Sequence, residues 1–200
     1  LEIHDGGFEL IKGAVPKGFP RKSFIWSGDP SEIAVADPDH PNALRFIAAA
    51  SEPSLPYSQR CFCDVFQVID LSTVRAALEN SGTASVELSA SFLDARCKPT
   101  EAVKFALKIY AFSGPPNCGS EQWPPSADRI LAYRAQFHVS SGEGYTDWKG
   151  SFFDWEMLHA QCIVPPGTEF LVIQIGAGNA GPSGQSSPEL GAVYVDDISF

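Results

Sequence analysis

Two hundred residues, 44% hydrophobic and 19% charged, are enough to enclose a substantial core and lie outside the low-hydrophobicity, high-charge regime of disorder. With 24 acidic against 14 basic side chains the formal net charge is -10, which argues against nucleic acid and anionic membrane surfaces as partners. No apolar run approaches the ~20 residues that span a bilayer, and the first ten residues lack the basic-then-apolar layout of a signal peptide, so membrane insertion is not expected.

Taken in chain order, Gly6-Gly7-Phe8-Glu9-Leu10 reads as a turn entering a short strand, and Trp26 to Pro30 as a loop. The segment 42–47 puts Leu44 and Phe46 on one face and Arg45 on the other, the period of a half-buried strand. Residues 61–68 are rich in Phe and Val. Residues 71–78 carry Leu71, Val74 and Leu78 at helical spacing after Ser72 as a cap, which predicts one or two helical turns. Residues 83–93 and 103–112 alternate regularly and are the clearest strands. Four prolines make 114–127 mostly loop, because proline fixes φ and lacks the amide donor of a sheet ladder. A strand resumes over 130–140, and 147–161 reads as either strand or short helix. A turn at 164–168 leads to a strand over 169–175, a glycine-rich loop over 176–191 and a last strand over 193–200.

Many strands with turn signals between them and no sustained helix predict an all-β fold. The expected form is a two-sheet antiparallel β-sandwich over residues 1–200, with short helical turns in loops, compatible with excision from a longer protein. Five cysteines (Cys61, Cys63, Cys97, Cys118, Cys162) cannot all pair within one chain, and none stands in a CxxC motif. Cys97 and Cys118 each sit beside turn residues, which leaves open a bridge between them or buried free thiols.

The two ends together, Asp5-Gly6-Gly7-Phe8-Glu9 and Tyr194-Val195-Asp196-Asp197-Ile198-Ser199-Phe200, resemble the terminal motifs of jelly-roll carbohydrate-binding modules in the galactose-binding-like superfamily. Trp26 and the Ala43-Leu44-Arg45-Phe46 strand stand where such modules carry a tryptophan and an early strand. The likeness extends to 164–175 and is weak through the middle. It implies a jelly roll and a non-catalytic module recognising a polysaccharide or glycan, as an accessory domain in an extracellular, periplasmic or cell-surface setting. It also implies a structural calcium held by Gly7, Glu9 and Asp196, with Asp197 as the alternative; oxygen-only donors suit that hard cation.

Sugar recognition draws on aromatic rings that stack on pyranose faces beside a few polar groups. The candidates are Trp123 in the proline-rich loop, Tyr145 after Gly142 and Gly144, and Trp148 and Trp155, which flank Phe152 and Phe153 and read more as core. The run Gly176-Ala177-Gly178-Asn179-Ala180-Gly181 matches GxGxxG, but the Pro- and Ser-rich stretch after it is a poor helix former, so a dinucleotide site is rejected. Four dispersed histidines (His4, His40, His138, His159), no HExxH and no GxSxG give no catalytic set. The pairs Glu32/Asp37 and Asp154/Glu156 would matter for glycoside hydrolysis only if they converged in a cleft. The alternative to a sugar-binding module is a structural or protein-interaction domain of the same fold.

Overall fold

The computed structural model describes residues 3–48, 62–82, 84–96, 103–113, 138–145 (backbone course), 154–179 and 190–200. Along the chain these form β1 (Ser27–Gly28), β2 (Ser31–Ala34), β3 (Ala43–Phe46), β4 (Phe62–Asp70), helix α1 (Arg75–Ser81), β5 (Ala84–Asp94), β6 (Val103–Phe112), β7 (His138–Tyr145), β8 (Glu156–Val164), β9 (Phe170–Asn179) and β10 (Val193–Ser199). The strands make two five-stranded antiparallel sheets, one in the order β1-β4-β9-β6-β7 and the other β2-β3-β10-β5-β8. The fold is an all-β sandwich, compatible with a jelly roll.

Period-2 alternation decides which side chains fill the space between the sheets. In β6, Val103, Phe105, Leu107, Ile109 and Ala111 point inward, and in β9 Leu171, Ile173, Ile175 and Ala177 do the same. From the second sheet they meet Leu44 and Phe46 of β3, Val86, Leu88, Ala90 and Phe92 of β5, and Val193 and Val195 of β10. Phe92 and Phe105, on opposite sheets near the ends of their strands, approach to 4.8 Å between ring centroids and join the layers. The thiols of Cys63 and Cys162 are buried in this core, where burial raises the Cys63 pKa well above the ordinary thiol range; Cys61, Cys97 and Cys118 lie outside the described residues.

Three expectations change. Residues 6–10 do not form a strand: Asp5 and Phe8 adopt φ of 55°, a left-handed conformation that an extended ladder cannot contain, and the segment is a turn. The turn is fastened from below, with Trp26 Nε1 donating to the carbonyls of His4 (3.2 Å) and Asp5 (3.1 Å) and Gln67 Nε2 donating to His4 O at 2.7 Å. The helix begins later than Ser72, because the Asp70 carboxylate accepts the Ser72 amide (2.8 Å) and holds a turn first; Val74 and Leu78 still pack on the core. The glycines expected to open a loop at 176 instead continue β9 to Asn179, paired on both sides by β4 and β6.

Because Phe92 is fully buried and bridges the sheets, Phe92→Ala is expected to lower unfolding free energy by about 3–5 kcal/mol, the usual cost of emptying an aromatic core position. Urea unfolding of the variant checks this; a loss below about 1 kcal/mol would mean that the sheets do not meet there.

Candidate functional site

The outer face of the β1-β4-β9-β6-β7 sheet departs from the polar surface that alternation leads one to expect. Phe66 and Val68 of β4, Tyr110 and Phe112 of β6 and Val172 of β9 form a second apolar cluster there, and Phe19 packs over them, its ring 5.4 Å from that of Phe66. Within this apolar bed strand register aligns a polar row. Phe66 and Lys108 flank Gln174, Asp64 stands opposite Gly176, and Ser27 of β1 stands opposite Phe66. Asp29, just beyond β1, locks to Asp64 by backbone bonds: Asp29 N donates to Asp64 O (2.8 Å), and Asp64 N donates to Asp29 Oδ2 (2.9 Å). Tyr110 OH donates to Gln174 Oε1 at 2.8 Å.

The electrostatics follow from burial. Asp29, 7% exposed, is pushed up to about 8, first by loss of solvent and then by the nearby charge of Asp64. Burial raises Asp64 as well, although the Gln174 amide and the Lys108 ammonium act to lower it. Among the described residues Asp64 Oδ1 and Ser27 Oγ are buried without a hydrogen-bond partner. Sequence reading missed these residues, because each is a single polar side chain inside an apolar strand and only register shows that they share one face.

The terminal segments meet elsewhere. Ile198 N donates to Gly6 O (3.1 Å), and the Ile198 carbonyl lies so close that any side chain at position 6 would collide with it. This close approach is why glycine is needed there. Asp196 and Asp197 fall at a register shift of β10, with Asp197 at φ 53° and its amide donating to Asp196 Oδ1 (2.8 Å). The Glu9 carboxylate folds back over Gly7. Asp196, buried, is raised to about 6 by burial above all, with the charges of Asp197 and Glu9 adding and His40 opposing. The structure thus brings Gly7, Glu9 and Asp196 to one place, whereas the Asp197 carboxylate is exposed and faces His40 Nε2 at 3.7 Å. Among the described residues no group of three or more His, Cys, Asp and Glu side chains is gathered as a metal site, so any cation here would depend on backbone carbonyls for part of its shell.

Of the aromatic candidates, Trp123 and Trp148 lie outside the described residues. Tyr145 ends β7 in register with Ala106, on the first sheet. Trp155 precedes β8 on the second sheet, partly buried with Tyr194, Leu93 and Ala43. The two described candidates are therefore on different sheets. Trp155 belongs to a clasp: its Nε1 donates to Asp37 Oδ2 (2.7 Å), its ring lies 4.1 Å from that of His40, and Asp37 also accepts the amides of Asp39 and His40 (2.9 Å each). These bonds, the Trp155 indole first, lower Asp37 to about 2. Burial pulls His40 down, but the bond to Asp37 and the charges of Asp37, Asp196 and Asp197 outweigh it and raise the imidazole. Of the first carboxylate pair, Glu32 is bound by Arg45, and Asp37 is engaged by the clasp.

No protein-family model matches the chain, and no curated protein matches it. Function must therefore be argued from the chemistry of these groups.

Since Asp29 holds its proton in the folded chain up to about pH 8 but only to about 3.8 when unfolded, the native state binds the extra proton between those values. Its contribution to stability is complete below about pH 3.8 and is lost as pH rises towards about 8; Asp64 acts in the same sense. Asp29→Asn keeps an acceptor for the Asp64 amide and removes the titration. The variant is expected to melt several degrees above the parent at about pH 8 and to show a flatter melting profile from about pH 5 upward. A variant that melts below the parent at about pH 8 would show that Asp29 is charged and well paired in the fold.

Proposed function

We propose that the chain is a non-catalytic carbohydrate-binding module of the galactose-binding-like, jelly-roll kind, recognising a polysaccharide or glycan as an accessory or extracellular domain of a larger protein. The observation that carries this reading is the polar row Asp64-Gln174-Lys108, with the Tyr110 hydroxyl bonded to it, set into the apolar outer face of the first sheet. Sugar sites combine apolar walls with a few convergent hydrogen-bonding groups. The rings of this face are buried, so stacking falls to Tyr145, at the end of the same sheet, and to Trp123. The terminal motifs add a structural calcium held by the Gly7 carbonyl and the Glu9 and Asp196 carboxylates. It would neutralise the two acids that now repel one another and tie the first turn to the last strand.

One observation favours the rival reading, a protein-interaction domain with no sugar site. Met157 and Ile163 are 59% and 58% exposed on β8, which ends its sheet.

Calorimetric titration with soluble xylan, β-glucan and galactomannan and with methyl glycosides, with and without calcium, tests the proposal. Binding that Trp123→Ala or Tyr145→Ala weakens about tenfold is expected; silence across the panel would favour the protein-interaction domain. Calcium is expected to raise the melting temperature of the parent by several degrees, and Glu9→Ala or Asp196→Ala to abolish that rise. An equal melting temperature in calcium and in chelator for the parent chain would remove calcium from the picture.

A further inference from the structure

The formal charge of -10 is unevenly distributed. Between Glu9 and Asp29 the chain carries Lys12, Lys17, Arg21 and Lys22 and no acid, so this stretch holds +4, while the remaining 10 basic and 24 acidic side chains leave -14 elsewhere. All four basic residues are exposed. Backbone bonds fix where the stretch runs. Ile33 N donates to Gly13 O (2.8 Å), Val15 N to Ser31 O (2.9 Å), Gly28 N to Pro16 O (3.0 Å) and Gly18 N to Gly28 O (2.8 Å). Since β2 ends one sheet and β1 the other, residues 13–18 cross the side of the sandwich from edge to edge, and Phe19 then packs over Phe66. Of the acids that flank this strip, Glu32 is bound by Arg45, the Asp5 carboxylate accepts the Leu10 amide, and Asp29 is buried.

The strip ends on two exposed apolar side chains. Phe24 and Ile25 are 39% and 43% exposed, and Phe24 stands at φ 64°, a conformation that a bulky residue rarely adopts. It is held there by its amide, which donates to Val68 O at 2.7 Å, and the His4 ring stands edge-on at 6.5 Å. Glycine would make the same turn without strain, so the fold keeps an exposed ring at a position that disfavours it. Backbone strain of this kind collects where a ligand is held.

The two features together narrow what binds. Cations in a row call for an anion, and an exposed ring for a flat apolar face; a pyranose chain bearing acid groups supplies both. A membrane plane or a nucleic-acid duplex would also bring the remaining -14 of the molecule within the screening length of about 8–10 Å, whereas one thin chain touches the strip alone. Resting on the carbohydrate-binding reading, we propose that the strip from Lys12 to Phe24 takes an acidic polysaccharide, carboxylated or sulfated. The ammonium groups of Lys12, Lys17 and Lys22 meet its acid groups, and the Phe24 ring meets a sugar face.

Calorimetric titration of the whole chain with polygalacturonate and with dextran sulfate, beside neutral xylan and galactomannan, tests this and separates the two acid groups. The parent is expected to bind at least one acidic polymer about tenfold or more tighter than the neutral ones, with affinity falling at least about tenfold between about 50 and 300 mM salt. The double variant Lys17→Glu/Lys22→Glu is expected to weaken that binding at least about tenfold. Phe24→Gly, which removes the ring and suits the positive φ, is expected to weaken it several-fold. Acidic-polymer binding that survives either variant, or a parent that binds neutral polymers alone, would overturn the inference and leave the module reading standing; a parent that binds no polysaccharide overturns both. Binding to phosphatidylserine vesicles without binding to either acidic polymer would overturn it in favour of a membrane surface. Should Phe24→Gly fail to fold, the double variant, whose changes are both at exposed positions, decides alone.

Discussion

Everything in this molecule is subordinate to the packing of two sheets face to face. Phe92 against Phe105 is one ring contact across the layers, and alternation commits every second residue of β4, β5, β6, β9 and β10 to the interior. That commitment leaves the chain two outer faces and two ends on which to place anything else. The second sheet carries a mixed outer face, with exposed Glu87, Met157, His159 and Ile163 on β5 and β8, a small apolar cluster of Ala43, Leu93 and Tyr194, and the Trp155-His40-Asp37 clasp at one end. The outer face of the first sheet is buried more widely, and there sequence and ordinary surface chemistry disagree most.

The ends obey the same constraint from another direction. A sandwich has edges and a first segment that must be attached to something. Here Trp26 and Gln67 supply the attachment by hydrogen-bonding the backbone of His4 and Asp5, so that side chains otherwise at home in a core carry polar duties. Gly6 then lets the turn approach the carbonyl of Ile198. The charge of Glu9 then acts on Asp196, whose carboxyl is raised above all by burial.

The strands 83–93 and 103–112, which alternate in sequence, and, apart from its register shift at Asp196, the last strand, 193–200, were legible because their inward residues determine them. So was the inward placement of Leu44 and Phe46 with Arg45 outside. What escaped has a common physical origin. Gly176 and Gly178 read as loop because glycine is a poor strand former, yet β4 and β6 supply hydrogen bonds on both sides and tertiary pairing overrides propensity. Residues 6–10 read as a turn entering a short strand, whereas the strand does not form and the bonds that Trp26 and Gln67, distant in sequence, make to His4 and Asp5 hold the turn. The polar row was invisible for the same reason: Asp64, Gln174 and Lys108 are far apart in the chain, and only the ladder makes them neighbours.

The outer face of the first sheet then poses a question that stability alone does not answer. An apolar residue at position 64 would serve the packing of β4 better than a carboxyl whose charge is disfavoured by burial, and a larger residue at 176 would serve β9 better than glycine. The two departures are coupled, since Asp64 can lie where it does only because position 176 has no side chain. The departures fit each other in space: the carboxyl fills the room that the missing side chain leaves, on a buried part of the face.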